Sequence, residues 1–157
     1  MNTTAEIEVR HMAAADLPRI LEIAQKLKNV PRWPPRAWLA ALNPVAAPRR
    51  IALIAAGSHD GTLYGFAVTS LLPPQAELET IAVNPEARRR GIGSRLIAAF
   101  VEELGRAEIL EIFLEVRVSN RTAQAFYQAL GFTQTGQRAR YYIDPIEDAV
   151  LMSLELP

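Results

Sequence analysis

A basic, glycine-containing turn, Arg88-Arg89-Arg90-Gly91-Ile92-Gly93-Ser94, separates a strand-like stretch, Glu77 to Asn84, from an apolar-periodic stretch that runs to Leu104. Strand, turn and helix in that order leave backbone N–H groups free at the helix start, where the helix dipole favours an anion. Gly91 and Gly93 lack a Cβ, so a bulky anion can approach the backbone, and Arg88, Arg89 and Arg90 add positive charge beside it. The chemistry that suits these residues is retention of a phosphate-bearing cofactor. Two common phosphate loops fail on spacing. A P-loop closes on Gly-Lys-Ser/Thr, whereas Gly93 is followed by Ser94-Arg95. A dinucleotide fingerprint needs a third glycine where this chain has Leu96. A plain helix start beside a solvated arginine run satisfies the same local pattern, and local physics alone does not separate the two readings.

Groups able to move a proton are sparse. The chain has no cysteine, which removes disulfides, thiolate metal sites and a cysteinyl acyl-enzyme. His11 and His59 lie far apart and make no recognisable metal site. Carboxylates remain: Glu77 and Glu79 before the basic turn, expected on the face shared with Ile81 and Val83, and Glu115 further on. Around Glu115, Ile112, Leu114, Val116 and Val118 alternate with Phe113, Glu115 and Arg117, so a strand puts the two sets on opposite faces. Asn120 and Tyr127 are spaced to share one face of a following helix. Read from periodicity alone, Glu115 is a solvated or arginine-paired carboxylate, and Tyr127 is a core aromatic on an apolar stripe.

The elements that must hold these groups follow from the pattern. Glu6 to Arg10 alternates as a first strand. Asp16 is placed to cap a helix over Leu17–Lys28, with Pro18 in its first turn. Pro31-Arg32-Trp33-Pro34 fixes an irregular loop, and Pro35 opens a short helix to Leu42. Trp38 reads as packing, and Trp33 as a residue that can line a substrate opening. Arg50–Ala56 and Leu63–Leu71 form a hairpin across Gly57-Ser58-His59-Asp60-Gly61. After Pro73-Pro74 come the Glu77 strand and the Gly91 helix, which Gly105 is expected to end. A strand over Ile109–Val118, a helix capped by Ser119 or Asn120 and stopped at Gly131, and a strand from Phe132 follow. Gln137–Ile143 reads as a polar and aromatic loop, and Ala149–Leu156 as a closing strand. Mixed alternation of strands and helices predicts an α/β (α+β) fold with a central mixed sheet covered by helices.

These motifs, taken together, resemble the GNAT acetyltransferase superfamily. Arg88-Arg89-Arg90-Gly91-Ile92-Gly93 is similar to its Arg/Gln-x-x-Gly-x-Gly/Ala signature, following the strand end Ile81-Ala82-Val83-Asn84-Pro85. Asn120, Ala123, Tyr127 and Gly131-Phe132 are similar to its second signature. The likeness runs from Ile7 to Leu156 and is nearest the RimI-type ribosomal-protein-alanine N-acetyltransferases, in Leu114-Glu115-Val116-Arg117, Ser119-Asn120, Arg140-Tyr141-Tyr142 and Glu147-Asp148-Ala149. The resemblance implies one GNAT-type domain over 1–157, with a mostly antiparallel twisted sheet and acetyl-CoA at a splayed strand pair. It assigns Ile81, Ala82 and Val83 to the pantetheine arm and a backbone N–H near Val83 to the thioester carbonyl. It gives Arg88, Arg89, Arg90, Gly91, Ile92, Gly93 and Ser94 to the pyrophosphate, and Asn120 to the cofactor. It makes Glu115 the general base and Tyr127 the proton donor to the departing thiolate, with Glu79 and Glu77 as alternative carboxylates. Trp33, Glu79, Tyr141 and Tyr142 would line the acceptor slot, and no metal is implied.

The implied acceptor is the N-terminal α-amine of a protein, alanine of a small ribosomal protein. Val30–Ala47 departs most from the subfamily pattern, which leaves a small-molecule amine as the alternative acceptor. A non-catalytic acetyl-CoA-binding module is disfavoured because Glu115 and Tyr127 are both retained. With 17 basic and 17 acidic residues, net charge is zero, so neither nucleic acid nor membrane is an expected partner. The chain of 157 residues is half apolar, enough for one domain with a sizeable core. It shows no basic-then-apolar leader and no apolar run near the roughly 20 residues of a membrane span. The expectation is a cytoplasmic monomer or homodimer.

Overall fold

The computed structural model describes residues 6–28 and 30–157. Seven strands form one sheet in the order β1-β2-β3-β4-β5-β7-β6. They are β1 (Ile7–His11), β2 (Arg50–Gly57), β3 (Leu63–Leu72), β4 (Gln75–Val83), β5 (Glu111–Arg117), β6 (Thr133–Ile143) and β7 (Ile146–Glu155). Every neighbouring pair is antiparallel except β4 and β5. The helices are α1 (Leu17–Lys26), α2 (Pro35–Leu42), α3 (Ile92–Arg106) and α4 (Arg121–Ala129).

The helices cover both faces of the sheet. On one face, Leu96, Phe100 and Leu104 of α3 and Tyr127 of α4 pack on Ile51, Leu53, Ala67, Ile112 and Leu114. On the other, Ile20 and Ala24 of α1 and Trp38 and Ala41 of α2 pack on Ile54, Phe66, Val68 and Ala82. Strands β2 and β3 are buried on both faces, which is why they read as continuous apolar runs rather than alternations.

Two features open the sheet at its middle. Parallel pairing of β4 with β5 covers only Gln75, Ala76 and Glu77 against Glu111, Ile112 and Phe113, and then the strands part. A bulge in β4 lies where the register to β3 jumps from Val68–Thr80 to Thr69–Leu78, leaving Glu79 unmatched. The extra residue reverses the side-chain alternation. Ala76 and Leu78 before the bulge belong with the α3 core, Ile81 and Val83 after it pack on that same core, and Ala82 belongs with the α1–α2 core. Glu77 therefore does not share a face with Ile81 and Val83, as strict alternation predicts; it shares the opposite one with Glu115.

Other boundaries differ from the sequence reading for local reasons. The first helix ends at Lys26 rather than Lys28. Helix α3 runs through Gly105 to Arg106, and its stop is made by Glu108 at φ 61, with Ile109 N–H donating to Leu104 O at 3.1 Å and Glu108 N–H to Gly105 O at 3.2 Å. That is a Schellman end built on a non-glycine residue. Gln137–Ile143 is strand rather than loop, as the second half of β6, paired with β7. This edge strand is exposed over most of its length and slips register twice, so no apolar alternation marks it.

Asp16 does not cap α1 through its side chain. Its buried carboxylate receives Arg10 Nη1 and Nη2, each at 2.9 Å, and Ala13 N–H at 2.8 Å, tying β1 to the turn before α1. Arg10 and, to a lesser degree, Ala13 hold this carboxyl below the usual range against the opposing effect of burial. A depressed acid stabilises the fold fully above its unfolded value, about 3.9, and loses that contribution as pH falls through the lower folded value. Asp16→Asn is expected to lower stability at pH 7 by roughly 1–3 kcal/mol. The gap to wild type should close as pH drops below about 4, as read by urea midpoints across pH.

Candidate active site

Between the parted strands lies a cleft of about 980 Å³, reaching from the start of α3 across β4 and β5 to the β6–β7 hairpin. Its floor is the uncovered side of β4. Asn84 N–H donates to Tyr64 O at 2.7 Å, which sets the alternation along β4. The N–H and C=O groups of Ala82 then turn toward β3, and those of Ile81 and Val83 turn toward the opening. With β5 diverged, those groups offer a ladder edge to an extended ligand.

The basic end is the turn into α3. Asn84 Oδ1 accepts Glu86 N–H at 3.2 Å, holding a 3-10 turn over Pro85–Ala87. Arg89 and Gly91 then take left-handed backbone, φ 66 and 71. The first helical bond, Arg95 N–H to Gly91 O at 3.1 Å, leaves the N–H groups of Ile92, Gly93 and Ser94 without helical partners. Arg88, Arg89, Gly91, Ile92, Gly93 and Ser94 line the cleft, as do Lys26 and Lys28 at and after the end of α1. Arg90 does not; its guanidinium lies 5.2 Å from the centre of the Tyr64 ring.

The two glycines act differently from the sequence expectation. At Gly91 a Cβ would meet nothing within 4 Å, so the positive φ, not crowding, is what calls for glycine, and the space beside it stays open. At Gly93 a Cβ would lie 2.8 Å from Phe126 Cζ, so this glycine serves the close approach of α3 and α4. Both the free N–H groups and the open side of Gly91 suit a phosphate ester.

The acidic end lies on the opposite face. Glu115, Glu77 and Glu79 all line the cleft. Glu79 is held by Arg50 Nε at 3.0 Å. Glu77 makes no ion pair among the described residues, and burial, then Glu79 and Glu115, push its carboxyl above the usual range. Glu115 Oε1 stands 3.7 Å from Arg138 Nη1, and its Oε2 is buried with no hydrogen-bond partner. Tyr141 sits beside it. Its phenol is pushed up to about 12, first by the neighbouring Glu115 carboxylate and then by burial. Tyr142 is also raised, by burial and then by Glu115.

Tyr127 joins the two ends. It is buried between Phe126 and Phe132, with ring centres at 5.2 and 5.5 Å, and it lines the cleft. Burial raises its phenol well above 10, so the hydroxyl stays protonated. Asn120 spends its Oδ1 on the α4 cap, accepting Ala123 N–H at 3.1 Å, which leaves its NH₂ group for a cleft ligand.

Trp33 is not brought to this cleft. It stacks on Trp38 at 4.8 Å and lines a separate depression of about 200 Å³ beside α1. Sequence reasoning missed Lys26, Lys28, Thr80 and Phe126 as lining residues of the cleft, and Arg138 as the neighbour of Glu115. Their only signal is proximity in space, which neither spacing nor motif carries. Among the described residues no cluster of histidine, cysteine and carboxylate side chains suits a metal ion, and no helix is long and apolar enough to cross a membrane.

The sheet splays between β4 and β5, with free helical N–H groups at one end of the opening and carboxylates at the other, and the fold around it is that of an acyl-group transferase. The chain belongs to the acetyltransferase (GNAT) family, matched over residues 17–132, and is an N-acetyltransferase by kind. Among its relatives, the ribosomal protein bS18-alanine N-acetyltransferase of Escherichia coli K12 is 32% identical over 158 residues, covering 99% of each chain. The N-alpha-acetyltransferase RimI of Mycobacterium tuberculosis H37Rv is 36% identical over 154 residues, covering 95% of this chain and 92% of that one. The crystal structure of the Escherichia coli S18-alanine enzyme superposes with a TM-score of 0.81 at 29% identity, over 96% of this chain and 94% of that one. Ard1 from Thermoplasma volcanium gives 0.83 at 26% identity, over 96% and 98%.

Gly93→Ala is expected to force Phe126 aside, costing roughly 1–3 kcal/mol. The thermal midpoint should fall by about 2–4 °C for each kcal/mol. Adding Phe126→Leu should recover part of the loss in the same melt.

Proposed function

We propose that this chain transfers the acetyl group of acetyl-CoA directly to the N-terminal α-amine of a protein, alanine of a small ribosomal protein. The observation that carries the reading is the Glu115 carboxylate, with a buried, unpartnered Oε2, facing a cleft whose far end is built for phosphate. The acceptor class rests on the two relatives named above. We read residues 1–157 as one such domain.

Acetyl-CoA supplies a thioester carbonyl open to attack and a thiolate leaving group. The chain's residues do the rest. Free N–H groups at Ile92, Gly93 and Ser94, with Arg88 and Arg89, hold the pyrophosphate. The outward N–H and C=O groups of Ile81 and Val83 pair with the pantetheine arm, and Val83 N–H steadies the carbonyl oxygen as negative charge builds on it. Asn120 offers its NH₂ group to the same ligand.

An α-ammonium group has a pKa near 8 and attacks only after losing a proton. Glu115 accepts that proton, directly or through one water, while Tyr141 and Tyr142 wall the slot. The new bond is amine nitrogen to acetyl carbon, and the bond broken is carbon to sulfur. Tyr127 gives its hydroxyl proton to the departing sulfur, and the second proton, shed by the nitrogen as the amide forms, restores the phenol through water. The burial that raises the phenol raises the thiol too, so the proton is not moved against the full difference of their free values. Glu79, engaged by Arg50, is less available as a base than Glu115. Glu77 is free of such a partner and remains the second carboxylate to test.

Free-thiol release with a peptide beginning in alanine, other peptide N-termini and a panel of small amines tests the acceptor. Strong turnover that depends on the first residues is expected; activity confined to small amines would move the acceptor to that class. Glu115→Gln should lower kcat by about 10²–10⁴-fold with acetyl-CoA affinity unchanged by calorimetry. If Glu77→Gln does this instead, the base is Glu77. Tyr127→Phe should slow the chemical step in single-turnover measurements, and full activity would leave Tyr127 as packing.

A further inference from the structure

The acceptor side of the cleft is walled by the β6–β7 hairpin; β7 is laddered to β5 and buries Ala149, Val150 and Met152, but the hairpin tip beyond them has little apolar support. Its tip residues Ile143 and Ile146 are 83% and 67% exposed, so they anchor nothing. The anchor is polar and converges on Arg117, two positions after Glu115 on β5 and on the same face. Arg117 donates from Nη1 to Pro145 O at 3.1 Å and to Glu147 Oε2 at 3.3 Å, and from Nη2 to Asp144 O at 3.2 Å. Its guanidinium also lies 4.3 Å from the centre of the Tyr142 ring.

Glu147 extends the tie. Its Oε1 accepts Ser119 N–H at 2.6 Å, one residue before the Asn120 cap of α4. Hydrogen bonds from Ser119, then Arg117, hold the Glu147 carboxyl below its usual range. Arg117 O in turn accepts Asn120 N–H at 2.9 Å and Gln124 Nε2 at 3.0 Å. Three segments thus meet at one residue: the strand bearing Glu115, the hairpin bearing Tyr141 and Tyr142, and the start of α4 bearing Asn120 and Tyr127.

We propose that Arg117 is the positioning residue of the acceptor slot. Its fork fixes the hairpin tip and its plane fixes Tyr142, so that Tyr141 stands over Glu115 and the slot keeps one width. Arg117 touches no reacting atom in this scheme. The proposal rests on the reading of the hairpin as acceptor wall and Glu115 as base. The guanidinium is needed as such, because a lysine ammonium cannot hold a turn by a planar fork and stack on a ring at once.

The test is steady-state kinetics of Arg117→Lys with both substrates varied, on whichever acceptor the wild-type chain turns over. Misplacement of the wall should cost roughly 10- to 100-fold in acceptor kcat/KM, mainly through KM. The acetyl-CoA KM should stay within about twofold, since Arg117 holds Asn120 only through its main-chain carbonyl, which the substitution leaves in place. Acetyl-CoA hydrolysis without acceptor should rise relative to transfer, because a loosened slot admits water. Both KM values moving together, or an unchanged acceptor KM, would overturn the proposal. If Arg117→Lys does not fold by circular dichroism, Glu147→Gln carries the same test, since it weakens the tie of the hairpin tip to Arg117 and Ser119 and leaves the slot-lining rings in place. An acceptor KM unchanged in that variant would equally overturn it. Failure of the base reading is separable: Glu115→Gln would then leave kcat intact while the Arg117 split between the two KM values persists.

Discussion

The structure depends on a parallel strand pair that comes apart. Strands β4 and β5 share three residue pairs and then diverge, so β4 runs through the centre of a sheet with one edge open. Unpaired backbone groups in a protein interior are costly unless water or a ligand meets them. Here the opening is kept by the helices: α3 and α4 span it on one face, with Gly93 letting them close to contact through Phe126. The turn before α3 then brings free N–H groups to one end of the opening, and the divergence of β5 leaves Glu115 at the other.

Charge is sorted along the cleft by the same geometry. Arg88 and Arg89 stand at the turn into α3, and Glu77, Glu79 and Glu115 stand further back on β4 and β5. The bulge at Glu79 makes this sorting possible. It puts Glu77 on the face shared with Glu115 while turning Ile81 and Val83 toward the α3 core. One inserted residue thus lets a single strand keep free backbone groups at the opening and still present carboxylates on the face away from α3.

Much of this was legible in the sequence. The turn from Arg88 to Ser94 could be read because glycine at positive φ and free helical N–H groups are local properties, and the apolar stripes of α3 and α4 because helical burial is periodic. What escaped was non-local. Nothing near Glu79 signals a bulge, since a bulge is a mismatch with β3. Trp33 read as a loop aromatic at the opening, yet it lies on Trp38, because the path of the α1–α2 loop is set by packing on α1. The second half of β6 read as loop because an exposed edge strand has no core face to impose alternation. Glu108 ended α3 where Gly105 was expected, since the stop is decided by where Ile109 must bury rather than by the nearest glycine.

The open edge of β4 also makes the sheet an incomplete one. A molecule lying along Ile81–Val83 would supply the missing ladder, binding the folded chain and not the unfolded one. Ligand occupancy then becomes a share of folding stability, about 2.7 kcal/mol at a hundredfold excess over the dissociation constant. The resistance of this chain to unfolding and proteolysis would follow the supply of that molecule, so that its persistence is metered by the metabolite it consumes.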